Sequence, residues 1–409
     1  MTEQVKYLLV GAGLAAHHAV RGIRERDKDG RIVIIGDEPE LPYTRPHLSK
    51  AYLMGKRERA KVFVKPAEFY SDEMKAEVWT GRHVKALDAN KCATLLEDGA
   101  TICFERALLA TGGEPRRLTI PGADLHGIYY LRTLANSDAI KQAMESAKQG
   151  VVIGGGFIGA EVASALTQKG VETTMVLTED SLLKRQVGPG ASKFLTEYFE
   201  KKGVRIVKNK TVQAISGTGR VSQVKVEDGF DLPANMVVAG IGVTPRIQLA
   251  QAAGLKVDRG VVVDEYLRTS DPSFYAAGDI ALYPDARFGH TLRLEHWDNA
   301  IAMGKAAGLN MAGANQPFDH VPYFYSDLFD LDLQAWGDLY RWDAIIVRGS
   351  LGHNLTYFYL YHDQLVAGLA INPSKDEAAA LEKLVAAMPI VKDATPFSDP
   401  SAPYEKLVG

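Results

Sequence analysis

The chain holds only two cysteines in 409 residues, Cys92 and Cys103. They stand too far apart for a C-x-x-C redox pair, and no histidine cluster beside them makes a zinc site. Their surroundings, Asn90-Lys91-Cys92-Ala93-Thr94 and Thr101-Ile102-Cys103-Phe104, read as a hairpin of ordinary strands. Dithiol chemistry therefore has no residues to run on, and no metal ligand set is expected. Net charge is equally scarce. The 47 Lys and Arg face 50 Asp and Glu, for a formal −3, so no basic field points to a nucleic acid as partner. No uninterrupted apolar stretch approaches the ~20 residues that span a bilayer, and no membrane association is expected. Met1-Thr2-Glu3-Gln4-Val5-Lys6 runs directly into an apolar strand. That leaves no room for a signal peptide and makes the cytoplasm the expected compartment.

What the chain does have is glycine, 38 residues of it, and two clusters are informative. Gly11-Ala12-Gly13-Leu14-Ala15-Ala16 follows the apolar run Tyr7-Leu8-Leu9-Val10, and Gly154-Gly155-Gly156-Phe157-Ile158-Gly159 follows Val151-Val152-Ile153. Each sits where a buried strand would turn into a helix. The first predicts a strand over 7–10, a helix over 12–26 and a strand over 31–35, a βαβ unit. The second predicts another unit over 150–177 with its helix over 156–169, and Gly170 where a helix end wants a left-handed residue.

The pattern after each unit also repeats. Stretches 84–87, 94–96 and 102–104 read as a small meander, followed by a strand at Ala107-Leu108-Leu109-Ala110 and the turn Thr111-Gly112-Gly113. Stretches 204–207, 212–215 and 221–226 read as a second meander, followed by Met236-Val237-Val238-Ala239 and Gly240-Ile241-Gly242. The expected fold is α/β, with two Rossmann-like dinucleotide-binding domains, the second inserted in the first. Residues 1–113 and 243–321 would form the first and 114–242 the second. From 322 to 409 aromatic strands (355–361, 365–371), a helix (378–387) and a Pro-rich tail predict a third, α+β domain without a phosphate-binding turn.

Glycine at a strand-to-helix turn lets the backbone approach a pyrophosphate, and the helix N-terminus supplies free N–H groups and partial positive charge. Gly11, Gly13, Leu14 and Ala15 are the candidates in the first copy, and 154–159 in the second. Thr111, Gly112 and Gly242, from the closing turns, join them. An acid at the end of the next strand holds a ribose hydroxyl. Asp37 and Glu38 compete for this role in the first copy. In the second the strand ends without an acid, and Glu179 follows two residues later. A carboxylate there repels a 2′-phosphate and favours NADH, while Lys184 and Arg185 keep NADPH open. Two dinucleotides side by side suggest a flavin reduced by a nicotinamide.

Longer motifs carry a family resemblance. Leu41-Pro42-Tyr43-Thr44-Arg45-Pro46-His47-Leu48-Ser49-Lys50, Ala110-Thr111-Gly112-Gly113, 154–161 and Tyr275-Ala276-Ala277-Gly278-Asp279 resemble, in order and spacing, the FAD-dependent ferredoxin reductases of oxygenase systems. These enzymes belong to the pyridine nucleotide-disulfide oxidoreductase superfamily, with a glutathione-reductase-like architecture. The tail Asp399-Pro400-Ser401-Ala402-Pro403-Tyr404-Glu405-Lys406-Leu407 resembles their C-terminus. The same motifs are similar to apoptosis-inducing factor, and Pro322-Tyr323-Phe324-Tyr325-Ser326 with Arg293-Leu294-Glu295-His296 is similar to monodehydroascorbate reductases.

The resemblance implies that Arg45, Val84, Arg132 and Asp279 contact FAD. It implies that Lys50 and Glu161 form an ion pair beside the flavin ring that orients the nicotinamide. It also implies that Glu295-His296-Trp297-Asp298-Asn299 opens a helix, running to about 311, whose N-terminus points at the flavin and favours its anionic reduced form. Trp297 and Tyr325 match aromatic positions near the ring, where they either shield it or serve as core packing. Three positions depart from the pattern. His47 stands where proline is usual and Ala16 replaces the third glycine. Tyr325 stands where apoptosis-inducing factor has tryptophan, which favours the reductases.

The expected function is a flavoprotein oxidoreductase in which NADH reduces FAD and electrons leave singly to a small [2Fe–2S] ferredoxin of an oxygenase or P450. One alternative is a small-molecule acceptor, a monodehydroascorbate-like radical or a quinone, with Arg293 and Tyr325 lining its site. Another is a redox-sensing flavoprotein that changes association state. A monomer or homodimer is expected.

Overall fold

A computed structural model describes residues 2–407. Its first stretch gives β1 (Thr2–Val10), α1 (Leu14–Arg26), β2 (Ile32–Ile35), β3 (Ala76–Trp79) and β4 (Thr101–Leu109). The middle stretch gives β5 (Ile128–Tyr129), β6 (Gln149–Ile153), α2 (Phe157–Gln168), β7 (Glu172–Val176), α3 (Lys184–Lys201), β8 (Arg205–Val207) and β9 (Met236–Ala239). Next come β10 (Phe274–Ala276) and α4 (Trp297–Met311). The last stretch gives β11 (Tyr323–Leu328), β12 (Leu331–Gly337), β13 (Ala344–Ser350), β14 (His353–Tyr361), β15 (Gln364–Ile371) and α5 (Lys375–Ala387). No helix among the described residues is long and apolar enough to cross a membrane.

The chain divides into two compact units. One joins the chain up to Thr44 with Arg59–Glu114 and Thr244–His320. The other joins Arg45–Glu58 and Pro115–Val243 with the chain from Val321 on.

The first unit is built on a parallel sheet in the order β3-β2-β1-β4-β10. Its central strands are continuous apolar runs because both faces are covered: all four residues of β2 are buried. The register sets Tyr7 opposite Ile32 and Arg106, and Val10 opposite Ile35 and Leu109. The apolar stretches at 102–104 and 107–110, separate in the sequence reading, form one strand. The N-terminal half of β4 pairs antiparallel with Ala93–Leu96, and its C-terminal half pairs parallel with β10. The polar residues Glu105 and Arg106 mark where its neighbours change, not a break in the strand. β3, too short and mixed to be read in sequence, takes the edge.

Two helices of this unit meet backbone to backbone. A Cβ on Gly304 would stand 2.2 Å from the Ala15 carbonyl oxygen, and one on Gly308 2.1 Å from that of Ala19. From the other side, a Cβ on Gly22 would stand 2.3 Å from the Lys305 oxygen. Small residues at these positions are what let α1 and α4 approach so closely.

The second unit contains a parallel sheet in the order β8-β7-β6-β9-β5, whose first four strands follow the order of the first sheet, while its outer strand β5 precedes the others in the chain. β8 was expected in a meander. It is instead the parallel edge strand of this sheet, with Thr174 opposite Arg205. The antiparallel piece is a separate sheet of Val212–Ser216, Gln223–Val226 and Asp231–Pro233, the last hidden by its proline. The C-terminal sheet is antiparallel in the order β11-β12-β15-β14-β13. α5 covers it with Leu381, Leu384 and Val385. This helix starts at Lys375, before the predicted 378, because Ser374 and Glu377 form a reciprocal capping box. Arg348 on β13 is buried and donates to the carbonyls of Pro396, Pro400 and Ala402, which pins the tail.

Candidate functional site

In the first unit the chain leaves β1 through Gly11 at φ +109°. A Cβ there would stand 2.2 Å from the Ala110 carbonyl oxygen, so only glycine fits both the angle and the space. Gly13 caps α1 and offers no side-chain acceptor to the first turn. The N–H groups of Leu14 and Ala15 thus open toward the crevice with the helix dipole behind them. The strand order reverses at β1 and β4, where doubly wound sheets bind nucleotides.

A cavity of about 490 Å³ lies at this point, and Gly11, Asp37, Val84, Thr111 and Arg246 are among the residues lining it. Arg246 Nη1 holds Asp37 Oδ2 at 2.7 Å, with Arg246 Nε 3.8 Å from Glu114. The Thr111 hydroxyl donates to the Arg246 carbonyl at 2.7 Å, and Arg246 N–H donates to the Gly112 carbonyl at 2.9 Å. The rival acid, Glu38, accepts instead from the Tyr43 hydroxyl at 2.5 Å.

Asp279 sits in the turn Gly278–Ile280. A Cβ on Gly278 would lie 3.4 Å from Ala15 Cβ and 3.8 Å from Ala300 Cβ, so the turn packs on the starts of both α1 and α4. The Asp279 carbonyl accepts from Arg293 at 2.9 Å, and Arg293 also pairs with Glu295 at 2.8 Å. His296 is the N-cap of α4, one residue later than the predicted start, and Trp297 is its first helical residue. Burial pushes the His296 imidazole down to about 4, so it is neutral at pH 7. In the same first turn Asn299 is fully buried, and its Oδ1 finds no hydrogen-bond donor among the described residues.

A backbone cradle with no room for a Cβ, a nucleotide-sized cavity beside it and an unmatched buried acceptor together fit a bound dinucleotide such as FAD.

The second unit repeats the cradle. Gly154 has φ +107°, and a Cβ on it would stand 2.4 Å from the Gly240 carbonyl oxygen. Gly155, between the first and second fingerprint glycines, presses on Leu177. The third, Gly159, would put a Cβ 2.2 Å from the Gly154 oxygen. Gly156 caps α2 without a side-chain acceptor. Phe157 leans on the Phe324 ring 4.8 Å away, whereas Ile158 is exposed. Gly242, at φ +106°, accepts at its carbonyl from Arg116 N–H at 2.9 Å. Glu179 and Arg185, rivals in the sequence, meet as an ion pair at 2.6 Å with Arg185 largely exposed. Lys184 turns to Asp180 instead, also at 2.6 Å.

Glu161, on α2, is buried at the centre of a donor cluster. Lys50 Nζ reaches its Oε1 at 2.5 Å, with the two side chains 9% and 5% exposed. Ser326 donates to the same oxygen at 2.7 Å, and Ser49 donates to the other. The Lys50 ammonium also stands 5.3 Å from the centre of the Tyr325 ring. Arg45 Nη1 donates to the Arg132 carbonyl at 2.7 Å. Burial pushes the nearby Asp327 carboxyl up.

Ser49, Ser326 and Asn299 lie inside the segments 41–50, 322–326 and 295–299 quoted for the resemblance, but the sequence assigns them no role. Arg246 belongs to no motif.

The family described as pyridine nucleotide-disulphide oxidoreductase matches residues 5–304, and the reductase C-terminal family matches 323–408. The ferredoxin–NAD(+) reductase component of the anthranilate 1,2-dioxygenase system of Burkholderia cepacia is 34% identical over 400 residues, 97% of either chain. The ferredoxin reductase for the CYP199A2 system of Rhodopseudomonas palustris superposes with a TM-score of 0.94 at 33% identity, covering 99% of this chain and 100% of that one. The covalent putidaredoxin reductase–putidaredoxin complex gives 0.94 at 31% identity, covering 99% and 98%.

Proposed function

The chain belongs to the pyridine nucleotide-disulphide oxidoreductase family, and from that membership we propose that it is an NADH-dependent FAD flavoprotein passing electrons singly to a small [2Fe–2S] ferredoxin of an oxygenase or P450 system. The observation that carries this reading is the pair of matched cradles, Gly11 and Gly154, each at a positive φ and each pressed on a carbonyl of the neighbouring strand end. We assign FAD to residues 1–113 and 243–321 and the nicotinamide nucleotide to 114–242. FAD, when bound, accepts a hydride from the reduced nicotinamide and releases its electrons one at a time.

The residues contribute position and field. The first turns of α1 and α2 receive pyrophosphates on unpaired N–H groups. Asp37, steadied by Arg246, receives a ribose hydroxyl. The uncapped start of α4, with a neutral His296, favours negative charge in front of it through the helix dipole. Lys50 is fixed by Glu161 in a dry setting, where a charge acts more strongly than in water, and it orients the nicotinamide. Glu179 supports NADH over NADPH, because a 2′-phosphate would meet its carboxylate. For Arg45, Arg132 and Tyr325 the assignment rests on the resemblance. The ferredoxin partner is supported by the relatives named for ferredoxins, and by the one caught in complex with putidaredoxin.

The test is direct. Purified protein should be yellow, and anaerobic NADH should bleach it at far lower concentration than NADPH. A [2Fe–2S] ferredoxin should then turn over at a rate that falls with salt, above the rates with monodehydroascorbate radical, quinones or a rubredoxin. Protein that stays colourless after reconstitution with FAD overturns the reading. So does a small molecule that outpaces every ferredoxin.

A further inference from the structure

The cradle around Gly154 accounts for the pyrophosphate, but not for what holds Glu179 and Arg185 in place. Between them and the C-terminal sheet runs a short segment with unusual backbone. Leu183 is a buried, non-glycine residue in the left-handed region, at φ +56°. Such a residue persists only where its surroundings over-determine it. Its N–H donates to the carbonyl of Gly155, which lies within the cradle, at 2.8 Å.

One helical turn follows, over 184–187, closed by the Leu183 carbonyl accepting from Gln186 N–H at 2.8 Å and Val187 N–H at 2.9 Å. It presents Arg185, which holds Glu179. The turn ends at Gly188, at φ +69° and ψ 174°, and Pro189 starts the long part of α3.

The far end of the turn is gripped by the C-terminal sheet. Tyr359, on β14, is fully buried and donates its hydroxyl to the Val187 carbonyl at 2.7 Å. A Cβ on Gly188 would stand 2.9 Å from Trp342 Cζ2 and 3.0 Å from Ile345 Cδ1. Trp342 is itself anchored, its indole N–H donating to the Leu339 carbonyl at 3.0 Å. The turn is thus held at its start by the cradle and at its end by an aromatic wall from another part of the unit.

We propose that Tyr359 and Trp342 are positioning residues for the nicotinamide nucleotide, setting the 184–187 turn so that the Arg185–Glu179 pair meets the adenosine ribose. This inference rests on the proposed NADH site. Neither aromatic touches the nucleotide in this scheme. Each acts through backbone that is hydrogen-bonded to Gly155 at one end and carries Arg185 within it.

The test uses the full-length holoprotein with Tyr359→Phe, Gly188→Ala and the control Tyr357→Phe. Tyr357 lies on the same face of β14, two residues away, and packs near Gly190. Measured are KM and kcat for NADH and NADPH, the Kd of ADP-ribose, and flavin content. Tyr359→Phe should raise KM for NADH and Kd for ADP-ribose about fivefold to tenfold, the worth of one buried hydrogen bond, with kcat and flavin content at wild-type values. Gly188→Ala should raise both by about tenfold or more, since it adds a clash to a backbone angle that disfavours any side chain. In both variants the preference for NADH over NADPH should shrink, while Tyr357→Phe should match wild type.

Wild-type constants in both variants overturn the inference. So does a joint fall of kcat and flavin content at unchanged KM, which is what a merely structural role would produce. A wild-type protein blind to NADH overturns the proposed function together with this inference. A wild type that binds NADH beside unaffected variants overturns this inference alone.

Discussion

The buried Lys50–Glu161 pair offers a prediction that separates its role in the fold from its role in chemistry. Both side chains are less than a tenth exposed, and Glu161 collects three donors: Lys50, Ser326 and Ser49. At an effective dielectric near 20, unit charges about 4 Å apart attract by about 4 kcal/mol. Removing both charges from water takes most of that back, so the net worth of the pair is small. Removing one partner is different, because the survivor stays buried and unpaired, at about 3–5 kcal/mol. Lys50→Met and Glu161→Leu should each lower the unfolding free energy by about that amount, and the double variant should return close to wild type. The cycle should therefore give a coupling of about 6–10 kcal/mol, the sum of the two single losses. Equilibrium urea unfolding of the holoprotein, followed by circular dichroism and flavin fluorescence, measures it. Stopped-flow reduction by NADH measures the rest: the refolded double variant should be slowed about a hundredfold, the scale expected for a positioned charge in a dry site. Single variants that each lose under about 1 kcal/mol and simply add would mean that the pair is not dry. A double variant reduced at the wild-type rate would mean that the pair does not serve the nicotinamide.

Arg246→Ala should weaken FAD retention about tenfold, the scale of a lost charge-assisted contact, measured by flavin released on dilution. The unfolding midpoint should hardly move, because the Asp37 pair is about two-fifths exposed. Gly154→Ala should yield yellow protein that NADH no longer reduces, and Gly11→Ala protein without flavin, since each added Cβ falls within 2.4 Å of a backbone oxygen. Absorbance after reconstitution and a Kd for ADP-ribose check both. Acid should destabilise the fold through one buried histidine, His17, and two half-buried ones, His18 and His296. Burial holds His17 down to about 3, and His18 and His296 to about 4. The unfolded chain therefore binds protons below about 6.5 that the folded chain refuses. The stability these groups contribute is present above pH 6.5 and falls as pH drops from 6.5 toward 4, on the order of 1 kcal/mol per pH unit for each group. Urea midpoints across that range should show the slope, and His17→Asn should flatten it. A flat profile between pH 7 and 4.5 would refute the burial argument.

The two βαβ units were legible because each combines two strong signals, a wholly apolar strand and a glycine turn, within a few residues. The same reasoning failed at β8 and β4 for one physical reason. Arg205–Val207 is too short to show whether its neighbour is parallel or antiparallel, and β4 changes partners midway with its polar residues at the change. Strand pairing is a long-range choice that a local window does not contain. The start of α5 was legible in principle, since Ser374 and Glu377 stand at capping-box spacing. The Glu161 cluster was half legible. Lys50 and Glu161 came from a family resemblance, but Ser49 and Ser326 complete the carboxylate's partners from segments far apart in sequence. Arg246 had no local signal, because its place depends on Thr111 and Gly112 folding back to meet it.

The difference between the two fingerprints at their third position has a structural reason. In the second copy Gly159 lies so close to the Gly154 carbonyl that a Cβ would collide with it at 2.2 Å. The helix therefore comes down hard on its own turn. In the first copy the corresponding residue, Ala16, is fully buried and keeps its Cβ, so α1 does not need that approach. The demand for small residues has moved to the adjoining face of α1, where Ala15 and Ala19 meet Gly304 and Gly308 of α4 backbone to backbone. That contact sets where α4 begins, and with it where His296, Trp297 and Asn299 stand relative to the Gly11 cradle. The cradle helix of the second copy is met instead by Ser326 and Phe324 of β11, at Glu161 and Phe157, and by Ser49 and Lys50 at Glu161. One duplicated turn thus serves two purposes. In the first copy it is locked to a second helix that points another dipole into the same crevice. In the second it is left open at Ile158 and Arg185, as a site for a nucleotide that must come and go requires.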